Sequence, residues 1–197
     1  MLLTAQIKSQ IANARRAGKR INIILDLDNT LISSVPYRRI SNTTNSYRTL
    51  NLRHHVFENS YVIYERPGVQ SFLDFLFKHF DVSVWSAATK EYVMFIVDNI
   101  VCAKRGRRLK MVLHSEHCDM SRKINPSTPK DMRFLWHNPR IYGFTPENTF
   151  IIDDLPAVYV AQPHNCIAVP AFDVERNVAG ATDSVLPKLL AEFASIH

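Results

Sequence analysis

The stretch Ile21-Asn22-Ile23-Ile24-Leu25-Asp26-Leu27-Asp28-Asn29-Thr30-Leu31 decides the reading of this chain. An apolar run ends in two aspartates one residue apart, followed by a threonine. Short apolar runs bounded by polar residues read as buried strands, most often of a parallel sheet. Ligands of such sheets bind in the crevice beyond the carboxyl ends of the strands. This strand therefore brings two carboxylates to the edge where a ligand binds. Uncompensated aspartates there are costly, and a bound cation is the usual remedy. A plain helix cap would use one acid; this stretch has two and a hydroxyl.

Outward from this strand, residues 1–18 carry a helical pattern through Leu2, Leu3, Ile7, Ile11 and Ala14, with Gly18 as a stop signal. The chain has no acid before Asp26 and several basic residues, a pattern that resembles a mitochondrial presequence. The immediate start of the core strand favours a helix packed beside it instead. Residues 33–65 are rich in Ser, Asn, Thr, Tyr and Arg. They read as a small antiparallel β-hairpin insertion, with strand pieces at Ser46–Leu52, His54–Phe57 and Ser60–Tyr64 and a turn at Glu58-Asn59. Pro67 opens a helix whose apolar face is Val69, Phe72, Leu73, Leu76 and Phe77.

Asp81–Ser86 is the next expected strand, followed by a helix from Thr89 to Cys102. Met111–His114 is a third strand, and Ser115–Pro129 reads as a polar loop. A short helix is expected at Asp131–His137, a strand at Thr149–Asp154, a short helix at Ala157–Ala161, a strand at Cys166–Val169 and a closing helix at Leu186–Ser195. This alternation predicts a single α/β domain over 1–197, with a mostly parallel, Rossmann-like central sheet flanked by helices.

The composition is that of a globular chain of 197 residues, 46% hydrophobic and 21% charged. No apolar run approaches the length of a transmembrane helix, so no membrane role is expected. Three cysteines, widely spaced, make no disulfide framework and point to a reducing compartment, cytoplasm or nucleus, ahead of the mitochondrion. The formal net charge of +6 suggests acidic partners. Lys104–Lys110 holds five basic residues in seven; it is either a solvated loop or a patch for phosphorylated partners. Stable nucleic-acid binding is not expected.

Four elements end at one edge of the expected sheet, carrying Asp26, Asp28 and Thr30; Ser86; Lys130; and Asp153 with Asp154. Carboxylates, a lysine and hydroxyls are the parts of a metal-assisted phosphoryl-transfer site. Magnesium prefers carboxylates, phosphate oxygens and water. A fixed aspartate can act as a covalent nucleophile, and a second carboxylate can carry the proton. His114, His117 and Cys118 are too few, with no second cluster, for a zinc site.

The motif Asp26-Leu27-Asp28-Asn29-Thr30 resembles motif I (DxDxT) of the haloacid-dehalogenase (HAD) superfamily. The chain further resembles the FCP/SCP-type phosphatases, which dephosphorylate serines of the RNA polymerase II C-terminal domain. The resemblance runs through Tyr64–Gly68, Val84–Ala88 with Tyr92, Glu116 and Cys118, Lys130-Asp131, and Ile152–Pro156 with Gln162–Asn165. It implies a HAD-like fold without a large cap domain and a magnesium-dependent protein serine/threonine phosphatase. Asp26 would be the nucleophile, Asp28 the general acid and base, Thr30 an orienting residue, Ser86 a phosphate ligand and Lys130 the neutralising cation. Asp26, Asp154 and the Asp28 backbone carbonyl would hold magnesium, with Asp153 in support. Tyr92 would border a substrate cleft for a phosphorylated peptide such as the RNA polymerase II tail. Two departures stand out: Asn29 replaces the usual Glu, and 136–144 is an apparent insertion. The rival readings are a HAD phosphatase for small phosphate esters and a non-catalytic phosphopeptide- or presequence-binding module.

Overall fold

A computed structural model describes residues 2–41, 51–176 and 182–196. Its centre is a five-stranded, all-parallel sheet of β1 (Asn22–Leu25), β5 (Asp81–Trp85), β6 (Met111–Leu113), β7 (Thr149–Asp153) and β8 (Cys166–Ala168), in the order β6-β5-β1-β7-β8. The chain runs outward from β1 to β5 and β6, then returns to β7 on the other side of β1 and continues to β8. The strand order therefore reverses between β1 and β7, the place where open α/β sheets bind ligands.

Alternation along the buried strands splits the core in two. Ile23, Leu25, Val82, Val84, Phe150 and Ile152 face one layer, built from α1 (Ala5–Arg16), α3 (Val69–His79), α4 (Lys90–Ile96) and α8 (Val185–Ala194). Ile24, Trp85, Leu113 and Ile151 face the other, packed by residues of α5 (Ser115–Arg122), α6 (Arg133–Trp136) and α7 (Pro156–Ala161). The N-terminal helix belongs to the first layer: Leu3, Ile7 and Ile11 are fully buried. Glu192 of α8 accepts hydrogen bonds from the Leu2 and Leu3 amides at 2.7 and 3.0 Å. The predicted helix after β5 runs on from α4 as a π-helical turn, Val97–Val101.

A three-stranded antiparallel sheet of β2 (Ile32–Pro36), β4 (Tyr61–Glu65) and β3 (His54–Phe57), in the order β2-β4-β3, follows β1. The β3–β4 hairpin matches expectation, and its Glu58-Asn59 turn has both φ angles positive (47° and 52°), as a type I′ turn requires. The expected strand at Ser46–Leu52 lies largely outside the described residues, and Leu52 is not in a strand. The sheet's other member is β2, which continues directly from motif I and leads into α2 (Tyr37–Ser41).

The expected loop at Ser115–Pro129 also differs in kind, because Ser115–Arg122 forms α5. Its buried face is only Cys118 and Ser121, too narrow to give an apolar period. The insertion at 136–144 packs at the amino-terminal edge of the sheet. There the Gly143 carbonyl accepts hydrogen bonds from the side-chain amides of Asn22 (2.8 Å) and Asn148 (3.1 Å).

Candidate active site

β1 ends at Leu25, and the Asp26 amide donates to the Ile152 carbonyl at 3.0 Å, extending the β1–β7 pairing to the strand ends. That pairing sets Asp26 beside Asp153 and Asp154. The three side chains each offer a carboxylate oxygen within 4.8 Å of the others. Between them stands Lys130, only 3% exposed. Its ammonium donates to Asp26 Oδ1 and, at 2.7 Å, to Asp153 Oδ2.

Lys130 arrives on a loop that is held on both sides. Gln162 Nε2 donates to the Lys130 carbonyl at 2.9 Å, and Gln162 Oε1 accepts from the Met132 amide at 3.2 Å. Ser121 Oγ, on α5, accepts from the Asp131 amide at 2.7 Å. Gln162 appears in the sequence only as part of a resemblance, and Ser121 gives no signal without the fold.

Burial alone would lower the Lys130 pKa, but the facing carboxylates of Asp26 and Asp153 override it and raise the pKa, keeping the ammonium charged. Burial and the Asp26 charge push Asp153 up to about 7, against the pull of Lys130 and the Leu155 amide. Asp154 is raised by the same two causes. Three carboxylates thus cluster around one ammonium, which bonds two of them, in a poorly hydrated place. The surplus negative charge and the all-oxygen donor set fit a hard divalent cation such as magnesium.

The turn after Asp26 is built for its residues. Asn29 has φ 61°, a left-handed conformation that asparagine adopts more readily than most residues. Asn29 therefore suits the backbone of this turn. The Asn29 carbonyl accepts from the Phe172 amide at 2.7 Å. The Thr30 carbonyl accepts from the buried Arg66 guanidinium at 2.9 Å, and Arg66 is anchored in turn by Asp183 (3.0 and 2.9 Å) and the Pro170 carbonyl (2.9 Å). Thr30 Oγ1 donates to Asp154 Oδ1 at 3.2 Å, so the threonine ties motif I to the end of β7.

Ser86 stands at the end of β5, 1% exposed, with Oγ accepting from the Ala88 amide at 3.1 Å. The Asp28 side chain leaves the carboxylate cluster: its Oδ1 accepts from Tyr92 OH at 2.7 Å and from Ser34 Oγ at 3.0 Å. Burial is the main cause that raises the Asp28 pKa. Tyr92 is one wall of a cleft of about 340 Å³ lined by Asp28, Ser34, Phe57, Tyr61, Ala88, Thr89 and Tyr92. Tyr92 therefore borders a cleft and touches an acid. His117 Nδ1 pairs with the His114 amide at 3.1 Å at the start of α5. Among the described residues the Asp26, Asp153 and Asp154 group is the metal-capable cluster.

Acids from two neighbouring strand ends meet a buried lysine at the switch point of this sheet, an arrangement consistent with the HAD-type phosphatases that the motifs resemble. Comparison with known proteins agrees. The family model for NLI interacting factor-like phosphatases matches residues 21–197. A putative CTD phosphatase-like protein, 355R, of Invertebrate iridescent virus 6 is 39% identical over 160 residues, covering 79% of this chain and 88% of the viral protein. Its counterpart in Invertebrate iridescent virus 3 is 34% identical over 178 residues, covering 84% and 92%. The solved structure of Fcp1, an essential RNA polymerase II CTD phosphatase, superposes with a TM-score of 0.57 at 19% identity. That match covers 96% of this chain and 52% of Fcp1. The chain belongs to the NLI interacting factor-like phosphatases, the FCP/SCP branch of the HAD superfamily, and is a phosphatase. No helix among the described residues is long and apolar enough to cross a membrane.

Proposed function

We propose that the protein is a magnesium-dependent protein serine/threonine phosphatase that works through a phosphoaspartate on Asp26. The observation that carries this reading is the Lys130 ammonium bridging Asp26 and Asp153 at the strand ends, with Asp154 in the same cluster. Asp26 attacks the phosphorus of the substrate monoester. The bond from phosphorus to the serine oxygen breaks as the bond to Asp26 forms. Lys130, and Ser86 at the end of β5, offset the charge on the phosphoryl oxygens. Asp28 gives its proton to the departing serine oxygen. It then takes a proton from the water that attacks the phosphoaspartate, which releases phosphate and restores both acids.

Asp26 and Asp154, with the Asp28 backbone carbonyl and with Asp153 in support, would hold magnesium. When bound, the cation supplies positive charge that lets a carboxylate and a phosphate dianion approach. The proposed substrate is a phosphoserine or phosphothreonine peptide resembling the RNA polymerase II C-terminal domain, in the cytoplasm or nucleus. The viral relatives named CTD phosphatase-like and the open cleft beside Asp28 support that choice. Hydrolysis of 4-nitrophenyl phosphate by wild type and Asp26→Asn, with magnesium and with EDTA, tests the mechanism. Magnesium-dependent turnover lost in the variant is expected. Equal turnover by the two proteins would refute the nucleophile assignment.

A further inference from the structure

Asp28 is held from two sides by elements far apart in sequence. Ser34 lies on β2, in the appended sheet, and Tyr92 lies on α4, in the main helical layer. Both hydroxyls contact the same oxygen, Asp28 Oδ1, at 3.0 and 2.7 Å, and they also contact each other. Along β2 side chains alternate between faces, and the two serines divide accordingly. Ser33 Oγ accepts from the Val174 amide at 3.1 Å, while Ser34 turns to Asp28.

The Tyr92 ring is fixed as well as its hydroxyl. Phe57 meets it edge-on at 5.4 Å between centroids and Tyr61 at 6.1 Å, both from the appended sheet. Thr89 caps the start of α4 by accepting from the Tyr92 amide at 3.5 Å. A carboxylate with two hydroxyls on one oxygen has its rotation stopped, and its other oxygen is left for a different task.

We propose that Ser34 and Tyr92 are positioning residues that fix the Asp28 carboxyl in the orientation required to protonate the leaving oxygen. The inference rests on the reading of Asp28 as the proton carrier. It gives the appended sheet a second purpose: besides bordering a cleft, it supplies one half of the clamp on the acid. Positioned acids of this kind contribute factors of roughly 10² to 10⁴ to rate. The fraction lost on loosening the clamp depends on how much the leaving oxygen needs a proton.

That dependence supplies the test. Phenyl phosphate and 4-nitrophenyl phosphate differ little in size, but phenolate is by far the more basic leaving group. The comparison uses kcat/KM with saturating magnesium for wild type, Ser34→Ala, Tyr92→Phe, the double variant, and Asp28→Asn as the reference for a lost acid. Tyr92→Phe keeps the ring that walls the cleft. The double variant should lose about tenfold more kcat/KM on phenyl phosphate than on 4-nitrophenyl phosphate, the same bias as Asp28→Asn. A merely structural role would lower both substrates alike, so equal losses, or no loss on either, would overturn the inference alone. A wild-type protein inactive on both esters would sink the phosphatase reading of the site and the clamp with it.

Discussion

Replacing Asp153 by asparagine should stabilise the metal-free protein while stopping its turnover. Three carboxylates face the single Lys130 ammonium, and Asp153 is the most deeply enclosed of them, 1% exposed. Its pKa moves from 3.8 to about 7 on folding, a change that corresponds to roughly 4 kcal/mol against the ionised form. Asparagine removes that charge and retains an oxygen for the Leu155 amide, which now donates to Oδ1 at 2.8 Å. The attraction of Lys130 for the ionised carboxylate is already counted in that shift. Lys130 keeps Asp26 as a partner, so no buried cation is stranded. Above neutrality the gain should therefore approach roughly 4 kcal/mol. Its sign follows from proton linkage. The folded wild type holds the Asp153 proton more tightly than the unfolded chain does. The stability this gives is complete below the unfolded value and is lost as pH rises through about 7. The advantage of Asp153→Asn is therefore absent in acid, grows through that window and levels off above it. Urea denaturation in EDTA across this pH range, followed by tryptophan fluorescence, measures it. Magnesium should close the gap by stabilising the wild type more. A variant less stable than wild type above neutrality in EDTA, or a difference that does not change with pH, would refute the surplus-charge argument.

Lys130→Met should leave Asp26 and Asp153 facing each other without a cation, lowering turnover of 4-nitrophenyl phosphate by at least about 10²-fold. The metal-free protein should also lose roughly 3–5 kcal/mol in urea denaturation; wild-type turnover would contradict the role given to the ammonium. Gly68→Ala should cost about 1–3 kcal/mol, read as a lower melting temperature. Gly68 has φ 82°, and a Cβ there would meet Pro187 Cδ and Cγ of α8 at 2.9 Å. Glu192→Gln should weaken the tie between the N-terminal segment and α8. Although burial alone would raise the Glu192 pKa, the Leu2 and Leu3 amides and Lys8 lower it. Its contribution is therefore present above the ordinary glutamate range and lost as pH falls through the depressed value. The two proteins should differ in melting temperature at neutral pH and converge in acid.

The legible part of the fold was the part with a strong period or a strong boundary. α3 falls at Val69–His79 and β3 at His54–Phe57, as read from apolar spacing and turn chemistry. α5 was not legible because its two buried residues, Cys118 and Ser121, lie on an otherwise polar helix that tertiary contact stabilises. β2 was hidden for a related reason: its serines are held by hydrogen bonds to Asp28 and Val174, not by apolar character. In the site, the acids and Lys130 could be named from motifs because their chemistry is in their side chains. Ser34 could not, because its importance is a matter of which face of β2 it takes and which strand end lies opposite. Gln162 and Arg66 lie in stretches that carry the resemblance, but what they do, holding the backbone of the Lys130 loop and of Thr30, emerges only in the fold.

The net charge of +6 also acquires a different meaning once the residues are placed. The basic run Lys104–Lys110 is spent largely within the fold. Arg107 is buried against Gln70 and Asp74 of α3, Lys104 pairs with Asp74, and Lys110 reaches Asn22 and Asp81. Asn22 and Asp81 are the first residues of β1 and β5, so Lys110 sits at the amino-terminal edge of the sheet. Asp26 lies at the opposite edge, about 13 Å away at strand rise. This loop is thus a brace between α3 and the sheet rather than a landing place for phosphate at the active site. Attraction of a phosphorylated chain to the cleft must then come from nearer groups. Lys130 is already shared by two acids, so its charge is largely answered before any substrate arrives. A phosphate dianion entering the cluster meets more negative than positive charge among these side chains. This imbalance is the physical argument behind the proposed need for an added cation.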